Sequence, residues 1–453
     1  VPVPESAEQA GAVTVSESAG ENRGLLQALL FLALPTMAEE ILATLLQYVD
    51  TAMVGQLGER ATASVSITTN VTWLVNSIPG AIGTAMLVLI SKAQGAGDKE
   101  QIKKLAQQAF LLSLVSGVSL GAISILLCGK IPVWMGAEPA IQDTASLYFF
   151  IISLPMVFRS TSTIMGAALR AVQNTRTPMV INVAANGSNI VLNYLFIYML
   201  GYGVAGAAIA SAISYVLSGV LMFLACRKNG LLRWEWKPFA PDIGLLRQCA
   251  AIGTPVLGTS MVSCLGYVVF AGLISGMGTT VFAAHSIAVT AETIFYVPGY
   301  GLRSAASTLI SNARGEGNVR KLKMVAGVSI GLTVAMMCVS GILLYFGAHL
   351  LMGFFSPSKE VVFLGAQMLR LVALSEPFFG LMVVLEGVFY GLGRTRYAFV
   401  VESIGMWGVR IFFTFLVVQV WGLGLRAVWC CMIADNVCKA VLLALPFVRH
   451  QHL

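Results

Sequence analysis

The chain has 453 residues, of which 57% are hydrophobic and only 11% charged, with 45 Gly, 15 Pro and a mean hydropathy of +0.82; soluble domains carry about 25% charged residues. A soluble protein is excluded. The formal net charge of +7 is accounted for by membrane topology, so no nucleic-acid partner is expected.

Residues 1–23 are rich in Ser, Glu, Ala and Gly and lack an apolar run, which reads as a disordered cytoplasmic tail. The missing initiator Met reads as a trimmed or processed chain. Twelve apolar blocks follow, at 26–55, 64–90, 105–128, 142–169, 177–200, 203–226, 244–276, 282–311, 324–352, 362–392, 397–420 and 424–448. They are long enough to cross a hydrocarbon core ~30 Å thick. Each is expected to be a helix, because backbone facing lipid must satisfy its own hydrogen bonds, and none shows the alternation of a membrane β-barrel. Most of the 28 Lys and Arg fall on one side of these spans, including Lys92, Lys99, Lys103, Arg227, Arg314, Arg320 and Arg394. The other side holds only Arg60, Lys130, Lys359 and Arg426. This bias predicts a multi-pass protein of the cell membrane with both termini cytoplasmic.

Shifted by about 220 residues, the sequence falls on itself. Leu89-Ile90-Ser91-Lys92-Ala93-Gln94-Gly95-Ala96-Gly97 meets Leu309-Ile310-Ser311-Asn312-Ala313-Arg314-Gly315-Glu316-Gly317. Pro35 meets Pro255, Pro79 meets Pro298, Thr175-Arg176 meets Thr395-Arg396, and Gly201 meets Gly422. A six-helix unit has been duplicated, and since six is even the two copies run parallel. The expected fold is all-α: twelve transmembrane helices in two pseudo-symmetric six-helix bundles around a central cleft. The first bundle covers 24–226, a cytoplasmic linker 227–241, the second bundle 242–448, and a tail 449–453. Two like halves about an axis along the membrane normal point to an alternating-access transporter with its substrate held between them.

The first helix ends QYVDTAMVGQLG, the fifth runs into NIVLNYLFIYMLGYGVAGAAIAS, and LISKAQGAGD and LISNARGEGN follow helices two and eight. In order and spacing these segments resemble the multidrug and toxic compound extrusion (MATE) family over residues 24–448. The resemblance implies two six-helix bundles around a cleft, and export of amphiphilic, often cationic compounds in exchange for Na+ or H+.

Ionisable side chains inside spans cost roughly 2.5–3.5 kcal/mol each on insertion scales, so each requires a reason. Asp50 lies about five residues, ~8 Å, from the outer end of the first span. Asn193 and Ser211 fall at similar depth in helices five and six, and Asn189 shares a helix face with Asn193. One carboxylate among neutral oxygens suits Na+ or a proton; the alternative is that Asp50 caps its helix. The resemblance implies the functional reading, because MATE proteins place an aspartate at the position of Asp50 and a cation-site Asn at that of Asn189. Many also have an aspartate where this chain has Asn193, and a hydroxyl residue at Ser211. Na+ and H+ coupling both stay open, and no other metal is expected.

The repeat carries Asp50 onto Phe270 and Asn189 onto Arg410, so the second half has no copy of this site. Another branch of the family places carboxylates where this chain has Ser263 and Phe379. The second half does hold Glu292, Glu376, Arg410 and Asp435, expected either to attract cationic substrate or carry protons, or to be a paired network that fastens the bundle. At least one of Glu39 and Glu40 is expected to face the cleft. Pro35, Pro79, Pro255 and Pro298 are expected to kink their helices or act as hinges.

Gly201-Tyr202-Gly203-Val204-Ala205-Gly206 matches a dinucleotide fingerprint but follows a membrane helix, so it is a tight turn. Eight cysteines without a CxxC pair imply neither disulfides nor zinc. Of the histidines only His285 could join a proton path. No P-loop is present, so no cofactor is expected and energy must come from an ion gradient. The expectation is a monomeric secondary exporter of small, cationic organic compounds. The alternatives are a lipid or oligosaccharide-lipid flippase and a membrane-embedded enzyme.

Overall fold

The computed structural model describes residues 6–234 and 241–448, with side chains from Arg23 onward, so part of the expected linker and the whole C-terminal tail lie outside the described residues. Among the described residues every regular element is helical. In chain order these are α1 (Ser6–Gly55), α2 (Glu59–Gly95), α3 (Lys99–Leu127), a single turn at Ile131–Trp134, α4 (Pro139–Ser153 and Met156–Ala171), α5 (Arg176–Met199) and α6 (Gly203–Lys228). The second half repeats them as α7 (Ile243–Ser275), α8 (Thr279–Gly315), α9 (Val319–Phe355), α10 (Lys359–Ala373 and Glu376–Gly391), α11 (Thr395–Val420) and α12 (Leu425–Val448). Ten are unbroken helices long and apolar enough to cross a membrane, and α4 and α10 bring the number to twelve if each bent pair is one span.

Two local expectations are corrected. Helix α1 begins at Ser6, inside the segment expected to be disordered. Its Ala- and Glu-containing sequence can propagate from a helix already anchored by the apolar span, which removes the nucleation barrier. Spans four and ten, expected to be continuous, bend by 52° and 56°. Pro155 and Pro377 each lack the N–H that would carry the helix through. Ser153 Oγ donates to Phe149 O and Ser375 Oγ to Val372 O, so carbonyls beside both bends are partnered. By contrast Pro35, Pro79, Pro255 and Pro298 lie inside helices that continue past them.

The duplication is visible in matched contacts. Ser91 Oγ donates to Ala171 O and Ser311 Oγ to Gly391 O, each at 3.1 Å. After α2 and α8 the chain turns through Gly97 (φ 72°) and Gly317 (φ 69°), where a side chain would be strained. Asp98 and Asn318 then cap the next helices, accepting from Gln101 N and Lys321 N at 2.9 Å.

The halves are interlocked. One core gathers Met86 and Ile90 of α2, Leu105 of α3 and Met165 of α4, together with Leu245 and Cys249 of α7. Another packs Leu29, Leu32 and Ala33 of α1 against Leu302, Ala305 and Leu309 of α8. Residues 29–33 of α1 and the leading turns of α7 therefore pack in the opposite half from the one their sequence position assigns. At the basic-rich end α2 and α8 meet backbone to backbone: a Cβ on Gly95 would overlap the Asn312 carbonyl, and one on Gly315 the Lys92 carbonyl. These are equivalent contacts about the pseudo-twofold axis.

Candidate functional site

The four residues singled out near one end of the first half meet. Asn193 Nδ2 donates to Asp50 Oδ1. Asn193 is 0% exposed, and its Oδ1 has no hydrogen-bond partner. Turning the Asn189 amide presents its nitrogen to Asp50 Oδ1 at 3.3 Å, and its oxygen then accepts from Ser211 N and Oγ at 3.2 Å; an amide's orientation is set by such partners. Asp50 is five residues before the end of α1 and faces inward, on the wall of a cavity of about 340 Å³ that Asn189, Ser211, Tyr148 and Arg159 also line. From Tyr194 to Met199 helix α5 widens into a π-turn directly after Asn193, a feature frequent at functional sites. One carboxylate with amide and hydroxyl groups can hold a monovalent cation or carry a proton.

Glu39 and Glu40 both line a second cavity of about 310 Å³, between the halves. Glu39 is bound by Arg170, 3.3 Å to each oxygen, and by Asn182 at 2.6 Å. On the facing side Arg303 pairs with Glu386 at 2.8 Å, and Tyr390 donates to Glu386. Arg170, Arg303 and Glu386 escaped the sequence reading, although a charge inside an apolar block was the available signal; Asn182 carries no such signal.

The expected second-half cluster divides in two. Arg410 pairs with Asp435 at 2.8 Å and hydrogen-bonds Asn436. Lys439 bridges Asp435 at 3.0 Å and Glu402 at 2.9 Å, and Ser263 donates to Glu402 at 2.6 Å. Lys439 and Glu402 were not among the residues singled out from the sequence; Asp435 and Glu402 with Arg410 and Lys439 form a balanced quartet of two acids and two bases. Of the four residues named from the sequence, Arg410 and Asp435 belong to this network. Helix α11 takes a π-turn over Ile404–Ile411, which begins after Arg396, aligned by the repeat with Arg176, and contains Arg410, aligned with Asn189 one residue further on. An i→i+5 turn absorbs that extra residue. Gly405 in this turn leaves room for Asp435 and Lys439, which a Cβ would strike.

Glu292 and Glu376 stand apart from the quartet, 8% and 1% exposed. Glu376 opens the second segment of α10, where the helix dipole favours a carboxylate, and its Oε2 has no partner. One turn after each acid, Tyr296 and Phe379 touch with ring centroids 5.2 Å apart, so the two acidic turns face each other. His285 packs edge-on against Phe270 and Trp429 at 5.6 and 5.8 Å, and its buried Nδ1 has no hydrogen-bond partner. Ser263 and Phe379 line a third cavity, of about 430 Å³, with Arg303, Arg410 and Lys439. Gly201 and Gly422, at φ 69° and 61°, form the predicted turns. Among the described residues no three His, Cys, Asp or Glu side chains are grouped to hold a metal.

Two interlocked six-helix halves with polar cavities inside and between them define a multi-pass membrane transporter. The MatE family profile matches residues 35–195 and 255–416, one segment in each half, and the chain belongs to that family. It is 27% identical to "Probable multidrug resistance protein NorM" of Thermotoga maritima, over 93% of this chain and 91% of that protein. It is 26% identical to "Multidrug resistance protein PmpM" of Pseudomonas aeruginosa, over 86% and 83%. Identity to "Multidrug and toxin extrusion protein 1" of Oryctolagus cuniculus is 24%, over 92% and 73%. A solved outward-facing multidrug resistance MATE family transporter of the MOP superfamily superposes with a TM-score of 0.89 at 22% identity, over 94% of this chain and 96% of that one. At that identity the likeness bears on the fold alone.

Proposed function

We propose that this protein is a monomeric secondary exporter of small amphiphilic organic compounds, cationic ones included, that antiports them against Na+ or H+ by alternating access, with both termini in the cytoplasm. The observation that carries the reading is Asp50: a single carboxylate on a cavity wall, held by Asn193 and Asn189 beside Ser211, with an unpartnered buried amide oxygen next to it. Cation binding or protonation there neutralises a carboxylate that no base pairs with. Helix α1 provides the route for coupling, because its Asp50 end contacts α5 while its residues 29–33 pack in the other half. To switch a two-state equilibrium almost completely, ion and drug must differ by about 5.5 kcal/mol in their preference for the two states. Glu292 and Glu376 are the members of the second-half cluster left to attract cations or carry protons.

A lipid flippase with a strongly cationic cavity fits less well, since Arg303, Arg410 and Lys439 are each neutralised by an acid. The test is efflux from proteoliposomes under separately imposed Na+ and pH gradients. Asp50→Asn should abolish gradient-driven efflux while the protein still inserts; unimpaired efflux refutes the assignment.

A further inference from the structure

Arg159 has no place in the coupling scheme above. It lies one turn after the Pro155 bend, in the second segment of α4, and its guanidinium stacks on the Tyr215 ring 4.4 Å from the centroid. The other cations around these cavities have acids: Arg170 has Glu39, Arg303 has Glu386, Arg410 has Asp435 and Lys439 has Glu402. Arg159 makes no ion pair among the described residues. A permanently charged group at this depth needs a compensating interaction, and stacking on one ring leaves the guanidinium donors unused.

Those donors are accessible from two sides. Arg159 lines both the 340 Å³ cavity of Asp50 and a neighbouring one of about 240 Å³, and Asn186, Ser214 and Tyr215 line the same two. The guanidinium fork matches a carboxylate in two parallel hydrogen bonds, and the Asn186 amide adds two more donors. Asp50 is on the same wall without pairing to Arg159, so the cavity presents separated opposite charges.

We propose that Arg159 and Asn186 form a carboxylate-binding subsite in the first half, which admits amphiphiles bearing a carboxylate together with a cationic group. The proposal rests on the exporter reading for its meaning, but its test is equilibrium binding and needs no gradient. A failure of ion coupling at Asp50 therefore leaves the readout intact.

The probes are rhodamine B, which carries both a carboxylate and a delocalised cation, and its ethyl ester, which keeps the cation alone. Binding to the full chain in lipid nanodiscs is followed by fluorescence anisotropy. The unaltered protein should bind the acid more tightly than the ester. Arg159→Gln should weaken the acid by about tenfold or more and the ester by less than about twofold. Arg159→Lys, which keeps the charge but loses the fork, should fall between them for the acid. Equal affinity for acid and ester in the unaltered protein overturns the proposal whether or not the variants fold. So does a parallel loss of both probes in Arg159→Gln, which would assign Arg159 a structural role through Tyr215.

Discussion

The two halves share a scaffold and differ in the same small volume. Asp50 and Asn189 touch in the first half; the residues that the repeat sets in their places, Phe270 and Arg410, also touch in the second, with the guanidinium 5.7 Å from the ring centroid. The position survived duplication and the chemistry did not. Contacts that fix the backbone are kept in pairs, such as Ser91 with Ser311, Gly95 with Gly315 and the bends at Pro155 and Pro377. Charges, by contrast, are closed into a quartet on one side and left open around Asp50 on the other. A scaffold built of serine and glycine contacts is kept in both halves while the charges placed on it differ.

The largest expected effect breaks the fastening. Arg410→Gln leaves Asp435, which is 0% exposed, without its guanidinium partner, and removing one member of a buried pair costs about 3–5 kcal/mol. Membrane abundance and Tm in detergent should both fall, whereas Asp50→Asn should leave both near their original values. A comparable Tm loss in the two variants would erase the distinction between a closed and an open half.

Next in size is the interlock at the basic-rich end. Gly95→Val and Gly315→Val place side chains where the opposing backbone already lies, and overpacking of this kind costs about 1–3 kcal/mol. Because each contact joins one half to the other, the loss should fall on the closed arrangement of that end. Spin labels flanking α2 and α8 should report a longer separation and efflux should drop. An unchanged distance distribution would mean that this end does not close by direct contact. The two variants should also resemble each other, since the contacts are equivalent.

Glu376→Gln and Glu292→Gln probe the part of the second half outside the quartet. Neither carboxylate has a base bonded to it, so the amide orphans no partner, and Tm should change by less than the equivalent of about 1 kcal/mol. Efflux should decline at normal abundance. Loss of abundance instead would place both acids with the fastening residues.

Most of the scaffold was legible in the sequence because it is written in long signals: apolar block length, basic bias and a repeat spanning the chain. Asp50, Asn189, Asn193 and Ser211 could be brought together by depth alone, since all stand near one end of neighbouring spans. The bends at Pro155 and Pro377 were missed because the apolar blocks run straight through them. Arg159, Arg170, Glu386, Glu402 and Lys439 were visible as charges in spans, but pairing depends on helix rotation. A π-turn such as Ile404–Ile411 changes that rotation without changing the hydropathy pattern. The packing of α1 and α7 into opposite halves leaves no mark in composition at all.

The smallest effect tests the symmetry most directly. Ser91→Ala and Ser311→Ala each remove one hydroxyl that donates across a helix pair to the carbonyl of Ala171 or Gly391, and both serines are buried. A neutral hydrogen bond contributes about 1 kcal/mol net, and an orphaned carbonyl adds to the loss. If the scaffold contacts are equivalent, the two variants should lose the same stability and the double variant their sum, because distant sites act independently. A markedly larger loss at Ser311 would mean that the charged quartet stiffens its half, so that a single contact there carries strain the first half can relax.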